Sequence, residues 1–164
     1  VTLLITKELI STKIKIAVDD LKTFFDIKKP SIIVTGLNPH AGENGDLGDE
    51  EIKVIKPAID ELKKHTNISI TGPVSADIAF SSEKRYQYDL AVCMYHDQAL
   101  IPIKTLDFHN GVNVTLGLDF IRTSPDHGTA FEIAGKNLAN PESLISAINL
   151  AYEMSRNKKN AWSN

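Results

Sequence analysis

The chain has little of several features that mark particular classes of protein. It contains one cysteine, Cys93, in 164 residues, so no disulfide framework is expected and a reducing, cytoplasmic location is predicted. Its 18 basic and 21 acidic residues give a formal net charge of −3, which argues against a nucleic-acid-binding face. No apolar run approaches the roughly 18 residues of a membrane span, and the first residues lack a secretion-signal pattern. The expected class is one globular domain with neither a nucleic-acid nor a membrane partner.

What is present is an alternation of apolar strands and amphipathic helices. The segment "SIIVTGL" (31–37) is β-branched and apolar without alternation, which is typical of a strand buried on both faces of a parallel sheet. Further strands are predicted at 68–73, 88–96 and 111–118, and helices at 19–25 (after a short strand or turn), 48–65 (kinked or delayed by Pro57), 128–136 and 140–156. Asn140 is the expected N-cap of the last helix, with Pro141 in its first position. Strands that alternate with helices predict an α/β fold with a largely parallel sheet.

Histidine follows two of the predicted strands. His40 lies in the glycine-rich loop "GLNPHAGENGDLG", and His96 lies in "MYHDQ". Ligands of α/β proteins bind at the carboxyl ends of strands, so two histidines there indicate either a metal site or a proton-transfer site. A lone histidine is more often structural, and a catalytic metal usually has about three protein ligands. Asp77 and Asp97 are candidate carboxylates that orient a histidine or a metal-bound water.

Three further polar residues, Lys104, Asn113 and Arg122, lie on or beside apolar segments. A buried cation is costly unless it is paired, so each is either a surface residue or a ligand for an anion. Arginine holds a carboxylate or phosphate with two hydrogen bonds, whereas lysine acts as a point charge. The position of Arg122 between "LDFI" and "TSPDHG" makes an inward orientation more credible for that residue.

The stretch "DHGTAFEIAGKNLANP" (126–141) combines small residues with free backbone N–H groups. Small residues allow a ligand to approach the backbone closely, although the same pattern fits an ordinary turn and helix start. His65 and His109 lie in polar loops without polar companions and are predicted to be surface residues.

Taken together, these clusters resemble one family. The chain resembles the C-terminal half of the 4-hydroxythreonine-4-phosphate dehydrogenases, which act in pyridoxal phosphate biosynthesis. The stretches that carry the resemblance are "GLNPHAGENGDLG", "GPVSADIAF", "MYHDQALIPIK", "GVNVTLGLDFIRTSPDHGTAFEIAG" and the terminal helix. The resemblance implies a three-layer α/β/α fold similar to that of isocitrate and isopropylmalate dehydrogenases. Residues 1–164 would form the C-terminal part of a two-domain dehydrogenase whose N-terminal half is absent.

The resemblance also implies a reaction and residue roles. The reaction is NAD- and divalent-metal-dependent oxidation, with decarboxylation, of 4-phosphohydroxy-L-threonine to 3-amino-2-oxopropyl phosphate. The metal is expected to be zinc, with magnesium or cobalt as alternatives, in a site that is completed across a homodimer, with His96 coming from the partner subunit. A carboxylate at Glu132 is expected to favour NAD over NADP. The implied roles are metal binding for His40 and His96, catalysis near the metal for Asp77 and Asp97, substrate binding for Lys104, Asn113 and Arg122, and NAD binding for His127, Gly128, Thr129, Ala130 and Glu132.

Within this chain the implied metal site is short of a ligand. No histidine precedes His40, whereas the family has a third metal histidine in the preceding region. Two other functions stay open. One is a related dehydrogenase acting on a threonate or erythronate phosphate, or on a dihydrodiol carboxylate. The other is a non-catalytic α/β binding or dimerisation fragment, against which the polar groups at the strand ends argue because they are costly to keep there.

Overall fold

Residues 2–162 are described by a computed structural model in which helices alternate with short strands. The α-helices are α1 (Lys7–Phe24), α2 (Lys56–His65), α3 (Ala76–Ala79), α4 (His96–Leu106) and α5 (Glu142–Trp162). The strands are β1 (Ser31–Thr35), β2 (Ser69–Val74), β3 (Leu90–Val92), β4 (Val112–Val114) and β5 (Thr123–Pro125). A π-helical turn, Glu51–Ile55, leads into α2.

Three of the strands form a parallel sheet in the order β2-β1-β3. Ile32 in the central strand pairs with Ile70 of β2 on one side and with Leu90 of β3 on the other. Because the strands run in the same direction, their carboxyl ends meet at one edge of the sheet. The segments that carry His40 and His96 therefore leave neighbouring strands at the same edge.

The main hydrophobic core lies between this sheet and helices α1 and α2. Ile10, Ile14 and Val18 recur every four residues in α1, which places them on one helix face. They pack with Ile32 and Val34 of β1 and with the apolar face of the α2 region, in a cluster completed by Ile55, Ala58, Ile59, Leu62 and Ile70. The alternate residues of β1, Ile33 and Thr35, are buried as well. The central strand is thus covered on both faces, as its sequence predicts.

A second, smaller unit consists of an antiparallel ribbon and the last helix. Strands β4 and β5 pair with Asn113 opposite Ser124. The Thr123 hydroxyl donates to the Ala147 carbonyl (2.8 Å), and the Ser143 hydroxyl donates to the Gly111 carbonyl (2.6 Å), so α5 is fastened along the ribbon. Although α5 has 21 residues, no helix in the described range 2–162 is both long and apolar enough to cross a membrane.

Several predicted elements are confirmed. The strands predicted at 31–37 and 68–73 correspond to β1 and β2, and the helix predicted at 140–156 corresponds to α5. The Asn140 side chain accepts a hydrogen bond from the Glu142 backbone N–H (2.9 Å), so Asn140 caps α5 as expected.

Two predicted helices have different bounds. The helix expected at 19–25 begins at Lys7, because the Thr6 hydroxyl accepts from the Leu9 N–H (3.1 Å) and caps a longer helix. The helix expected at 48–65 starts as the π-helical turn, in which the Lys56 N–H donates to the Glu51 carbonyl. Pro57 has no N–H to donate back into the preceding turn, so regular α-helix is established only from Lys56 onward.

Two other predicted strands exist but are shorter than expected, and one predicted helix is replaced by a 3₁₀ turn. The strand expected at 88–96 is limited to β3, because the Met94 N–H donates to the Gln98 side chain (2.8 Å) and the chain turns into α4. The strand expected at 111–118 is only β4, and it pairs antiparallel outside the main sheet. The helix expected at 128–136 is a single 3₁₀ turn, Phe131–Ile133, flanked by left-handed backbone at Ala130 and Gly135.

Candidate functional site

The loop after β1 carries His40 in a left-handed turn. Five successive residues, 40–44, have positive φ values: 52°, 53°, 81°, 42° and 59°. Only Gly42 among them adopts this region without steric cost, since left-handed backbone costs an L-residue roughly 1–2 kcal/mol. The turn therefore needs support from outside.

A carboxylate fixes the ring of His40 inside this turn. Glu43 lies 2.5 Å from the His40 Nδ1, and because a carboxylate only accepts, the neutral form of the ring would carry its proton on Nδ1 and its lone pair on Nε2. The His40 side chain is exposed. A histidine held in this way by a carboxylate has the tautomer that metal-binding histidines require.

His96 has the same arrangement at the end of the neighbouring strand. It is the first residue of α4, and its Nδ1 lies 2.7 Å from the Asp97 carboxylate. Both side chains are exposed. The two histidines that the sequence singles out thus each have their Nδ1 against a carboxylate, at the same edge of the sheet.

The buried side chain of Gln98 connects these two strand ends. Its carbonyl oxygen accepts from the Thr35 hydroxyl (2.6 Å) and the Met94 N–H (2.8 Å), and its amide donates to the Gly36 carbonyl (2.8 Å). Gln98 is only 8% exposed. The beginning of the His40 loop and the beginning of α4 are therefore tied through one amide group.

Asp77 and Asp97 line a common cavity of about 360 Å³ between α3 and α4. Asp77 accepts a hydrogen bond from the Ser75 hydroxyl. The pKa of Asp77 is lowered by this hydrogen bond, by a second one from the Ile78 N–H and by the proximity of His40. The structure therefore brings both predicted carboxylates to one cavity. It also places Asp77 close enough to His40 for that histidine to contribute to the lowered pKa of Asp77.

The residues of this chain provide only some of the ligands that a metal ion would need. The two carboxylate-held histidines have suitable donor atoms and geometry at the ring. Within residues 2–162, however, no group of three histidine, cysteine, aspartate or glutamate side chains is arranged to hold a metal. A metal bound here would take further ligands from outside the described chain.

Lys104, predicted to bind an anion, already has a partner. Its ammonium group lies 2.9 Å from the Asp126 carboxylate, donates to the Asp126 carbonyl and sits over the Phe108 ring. Both partners of the ion pair are largely shielded from water. A phosphate group would share this ammonium with Asp126.

Asn113 and Arg122 lie on the ribbon, and both are exposed. The Arg122 guanidinium donates to the Thr115 hydroxyl (2.7 Å). The backbone carbonyl of Arg122 accepts from the Thr115 N–H. Residues two apart on a strand share a face, so Thr115 and the Arg122 guanidinium are on the side of Asn113. These two predicted substrate contacts are therefore neighbours on one surface.

The predicted NAD stretch borders a cavity of about 530 Å³. His127, Gly128, Thr129 and Ala130 line it, whereas Glu132 does not. His109 also lines it and is exposed, as predicted, but it has a companion that the prediction missed, because it accepts a hydrogen bond from the Asn140 amide (3.2 Å). Nothing in "DFHN" signals this, because the contact joins segments 31 residues apart.

Two other residues of the site were missed by sequence reasoning. In the sequence, Glu51 resembles an ordinary acidic residue in the first turn of a helix. In the structure it is 3% exposed and accepts a hydrogen bond from the backbone of the His40 loop. Gln98 lies in the quoted motif "YHDQ" but has no recognisable role from composition or spacing. A polar residue directly beside predicted site residues is the only signal that was available.

Solved structures share this architecture. A 4-hydroxythreonine-4-phosphate dehydrogenase from Klebsiella pneumoniae matches with a TM-score of 0.81 at 44% identity, covering 93% of this chain and 45% of that one. A terephthalate 1,2-cis-dihydrodiol dehydrogenase from Burkholderia xenovorans matches with a TM-score of 0.72 at 30% identity, covering 93% and 48%. The chain thus has the α/β fold of a class of dehydrogenases, which confirms the expected isocitrate/isopropylmalate dehydrogenase-like class.

Sequence comparison narrows the class to a family. The model of the family "Pyridoxal phosphate biosynthetic protein PdxA" matches residues 1–151, and the chain belongs to this family. It is 56% identical over 154 residues to a 4-hydroxythreonine-4-phosphate dehydrogenase from Bradyrhizobium diazoefficiens, covering 94% of this chain and 44% of that protein. A protein of the same name from Zymomonas mobilis is 53% identical over 155 residues, covering 94% and 46%. The chain spans a little under half the length of these relatives.

Proposed function

We propose that this chain is the catalytic C-terminal part of a dehydrogenase that oxidises and decarboxylates 4-phosphohydroxy-L-threonine to 3-amino-2-oxopropyl phosphate. The observation that carries the proposal is the pair of carboxylate-held histidines at neighbouring ends of a parallel sheet. Family membership and the names of the relatives support a dehydrogenase of 4-hydroxythreonine 4-phosphate. A non-catalytic fragment has no physical need for two oriented histidines on exposed loops.

The proposed cofactors are NAD and a divalent metal, with zinc favoured by the histidine ligands and magnesium or cobalt as alternatives. His40 and His96 would contribute their Nε2 atoms to the metal. His96 would be contributed by the second subunit of a homodimer, and the third ligand would come from a region outside this chain. A divalent metal supplies positive charge beside an alcohol oxygen, which lowers the pKa of that alcohol.

The residues of this chain would act mainly by positioning. Asp97 orients His96, while the ionised Asp77 adds negative charge beside His40. Lys104, Asn113 and Arg122 would hold the phosphorylated substrate in register with the nicotinamide. When bound, NAD would supply the acceptor for the hydride of the secondary alcohol, and the β-keto acid so formed would lose carbon dioxide.

His127, Gly128, Thr129 and Ala130 would line the adenosine part of the NAD site, because they border a cavity of sufficient size with little side-chain bulk. Glu132 would face the ribose hydroxyls only if the loop around the 3₁₀ turn moved toward the cavity. The prediction that NAD is preferred over NADP therefore depends on the loop conformation with nucleotide bound.

A titration of the intact protein with Zn²⁺ tests the metal part of this proposal. His40→Ala and His96→Ala are each expected to weaken Zn²⁺ binding by at least about tenfold, since a lost outer partner alone costs that much. His65→Ala is the matched control, because His65 is an exposed residue at the end of α2 and should leave binding unchanged. Equal affinity in all four proteins would contradict the assignment.

A second candidate is oxidation of a cis-dihydrodiol carboxylate, favoured by the similarity to the terephthalate dihydrodiol dehydrogenase at 30% identity. The lower identity and TM-score make it the weaker candidate. NADH formation by the intact protein with each of the two substrates distinguishes them. Turnover of the dihydrodiol alone would replace the first proposal by the second.

A further inference from the structure

The left-handed turn 40–44 has one support that the proposed function does not include. Glu51, at the start of the π-helical turn, is 3% exposed, and its side chain reaches the loop that precedes His40. One carboxylate oxygen accepts from the Leu37 N–H (2.7 Å) and the Asn38 N–H (2.8 Å), and the other accepts from the Asn38 side-chain amide (2.9 Å). These bonds satisfy backbone donors that no strand or helix partner satisfies.

The glycines of the loop pack directly against the same carboxylate. A Cβ at Gly36 would lie 2.9 Å from one Glu51 oxygen, and a Cβ at Gly42, inside the turn, would lie 2.8 Å from the other. The distances are too short for any side chain larger than hydrogen. The loop is therefore wrapped around the carboxylate on both sides, before and after His40.

The protonation state of Glu51 agrees with this geometry. Burial by itself would raise the pKa of the carboxyl group. The hydrogen bonds from Asn38 and Leu37 outweigh burial and lower the pKa below its usual value. The group that receives the loop's N–H donors is thus a full carboxylate.

We propose that Glu51 is a positioning residue for His40: its carboxylate holds the strained turn in the shape that presents the His40 Nε2 at the strand end. Glu51 acts through the backbone of residues 36–42 and has no hydrogen bond to His40 itself. This role deepens the proposed function and rests on it for the identity of what His40 binds. The ordering of the turn by Glu51 does not depend on that identity.

Amide hydrogen exchange of the intact, metal-free protein tests the ordering directly. Glu51→Ala should accelerate exchange at Leu37 and Asn38 by at least about tenfold, because each lost hydrogen bond to a charged group is worth a factor of that size or more. Glu51→Gln keeps one acceptor oxygen and should show a smaller acceleration, and residues 32–34 of β1 should exchange as in the wild type. If Glu51→Ala does not fold, Glu51→Gln alone provides the comparison.

Glu50→Gln is the matched control. Glu50 accepts only from the Asn38 side chain (2.6 Å) and receives no backbone N–H from the loop. It should leave the exchange of Leu37 and Asn38 within about threefold of wild type. Unchanged exchange in both Glu51 variants, or equal acceleration in Glu50→Gln, would overturn the positioning role.

Zn²⁺ binding separates this proposal from the proposed function. Weaker Zn²⁺ binding in Glu51→Gln, with unchanged binding in Glu50→Gln, supports both. Accelerated exchange in a protein whose Zn²⁺ affinity does not depend on His40 would contradict the metal assignment and leave the positioning of the turn supported. Unchanged exchange with His40-dependent Zn²⁺ binding would overturn the positioning role and leave the metal assignment intact.

Discussion

At the scale of single residues, two buried polar side chains determine the shape of the strand-end site. Gln98 ties the end of β1 to the start of α4, and Glu51 ties the His40 loop to the start of the α2 region. Neither role follows from the sequence, because each depends on which backbone groups the fold leaves without partners. The motifs around His40 and His96 do predict where chemistry is placed.

Replacing Gln98 by leucine should lower the free energy of unfolding by about 2–4 kcal/mol, because the change leaves the Met94 N–H and the Gly36 carbonyl without this partner and the Thr35 hydroxyl with only the longer contact to the Val92 carbonyl (3.3 Å). Gln87→Leu, at an exposed position, should change stability by less than about 0.5 kcal/mol. Urea denaturation of both variants measures the difference. Equal stabilities would show that water or local rearrangement replaces the Gln98 bonds.

The lowered pKa of Glu51 makes the cost of Glu51→Gln depend on pH. A carboxyl group with a depressed pKa in the folded state stabilises the fold fully above its ordinary pKa, about 4.3, and this contribution is lost as the pH falls through the lower folded pKa. The stability difference between wild type and Glu51→Gln should therefore be largest near neutral pH and shrink below about pH 4. Denaturation curves across this range measure it, and a pH-independent difference would show that Glu51 is not linked to the fold by its charge.

At the scale of elements, the sequence predicts best where a local signal and the tertiary packing agree. Asn140 and Pro141 define the start of α5, and the apolar run of β1 defines a central strand. The sequence predicts poorly where a side-chain hydrogen bond or an unusual backbone conformation ends an element. Strand β3 ends early because the Gln98 side chain accepts the hydrogen bond of the Met94 N–H. The helix expected at 128–136 is interrupted by left-handed backbone at Ala130 and Gly135.

The cap of α5 gives a test at this scale. Asn140→Ala should cost about 1 kcal/mol of stability, since it removes the acceptor of the Glu142 N–H. Asn149→Ala, at an exposed position inside the same helix, should be neutral or slightly stabilising because alanine has the higher helix propensity. Thermal denaturation of the two variants compares them. A cost for Asn149→Ala equal to that for Asn140→Ala would remove the capping role.

At the scale of the whole molecule, this chain presents surfaces that a partner is expected to cover. Ile101 and Leu106 on α4 and Ile148 and Tyr152 on α5 are each more than half exposed. The chain spans less than half the length of the relatives it matches, and residues 2–162 contain no group of three side chains that could hold a metal. Both facts agree with the proposed homodimer with a shared site. The geometry of such a shared site could not be predicted from patterns within one chain.

The central claim is that the two oriented histidines serve a dehydrogenase reaction. The most direct measurement is NADH formation by the intact protein with 4-phosphohydroxy-L-threonine and Zn²⁺, comparing wild type, His96→Ala and the control His65→Ala. We expect turnover in wild type and His65→Ala, and a loss of at least about 100-fold in His96→Ala, since even an outer partner of a metal ligand contributes about 10- to 100-fold. Turnover in His96→Ala equal to that of wild type, or no turnover by any of the three proteins, would contradict the account.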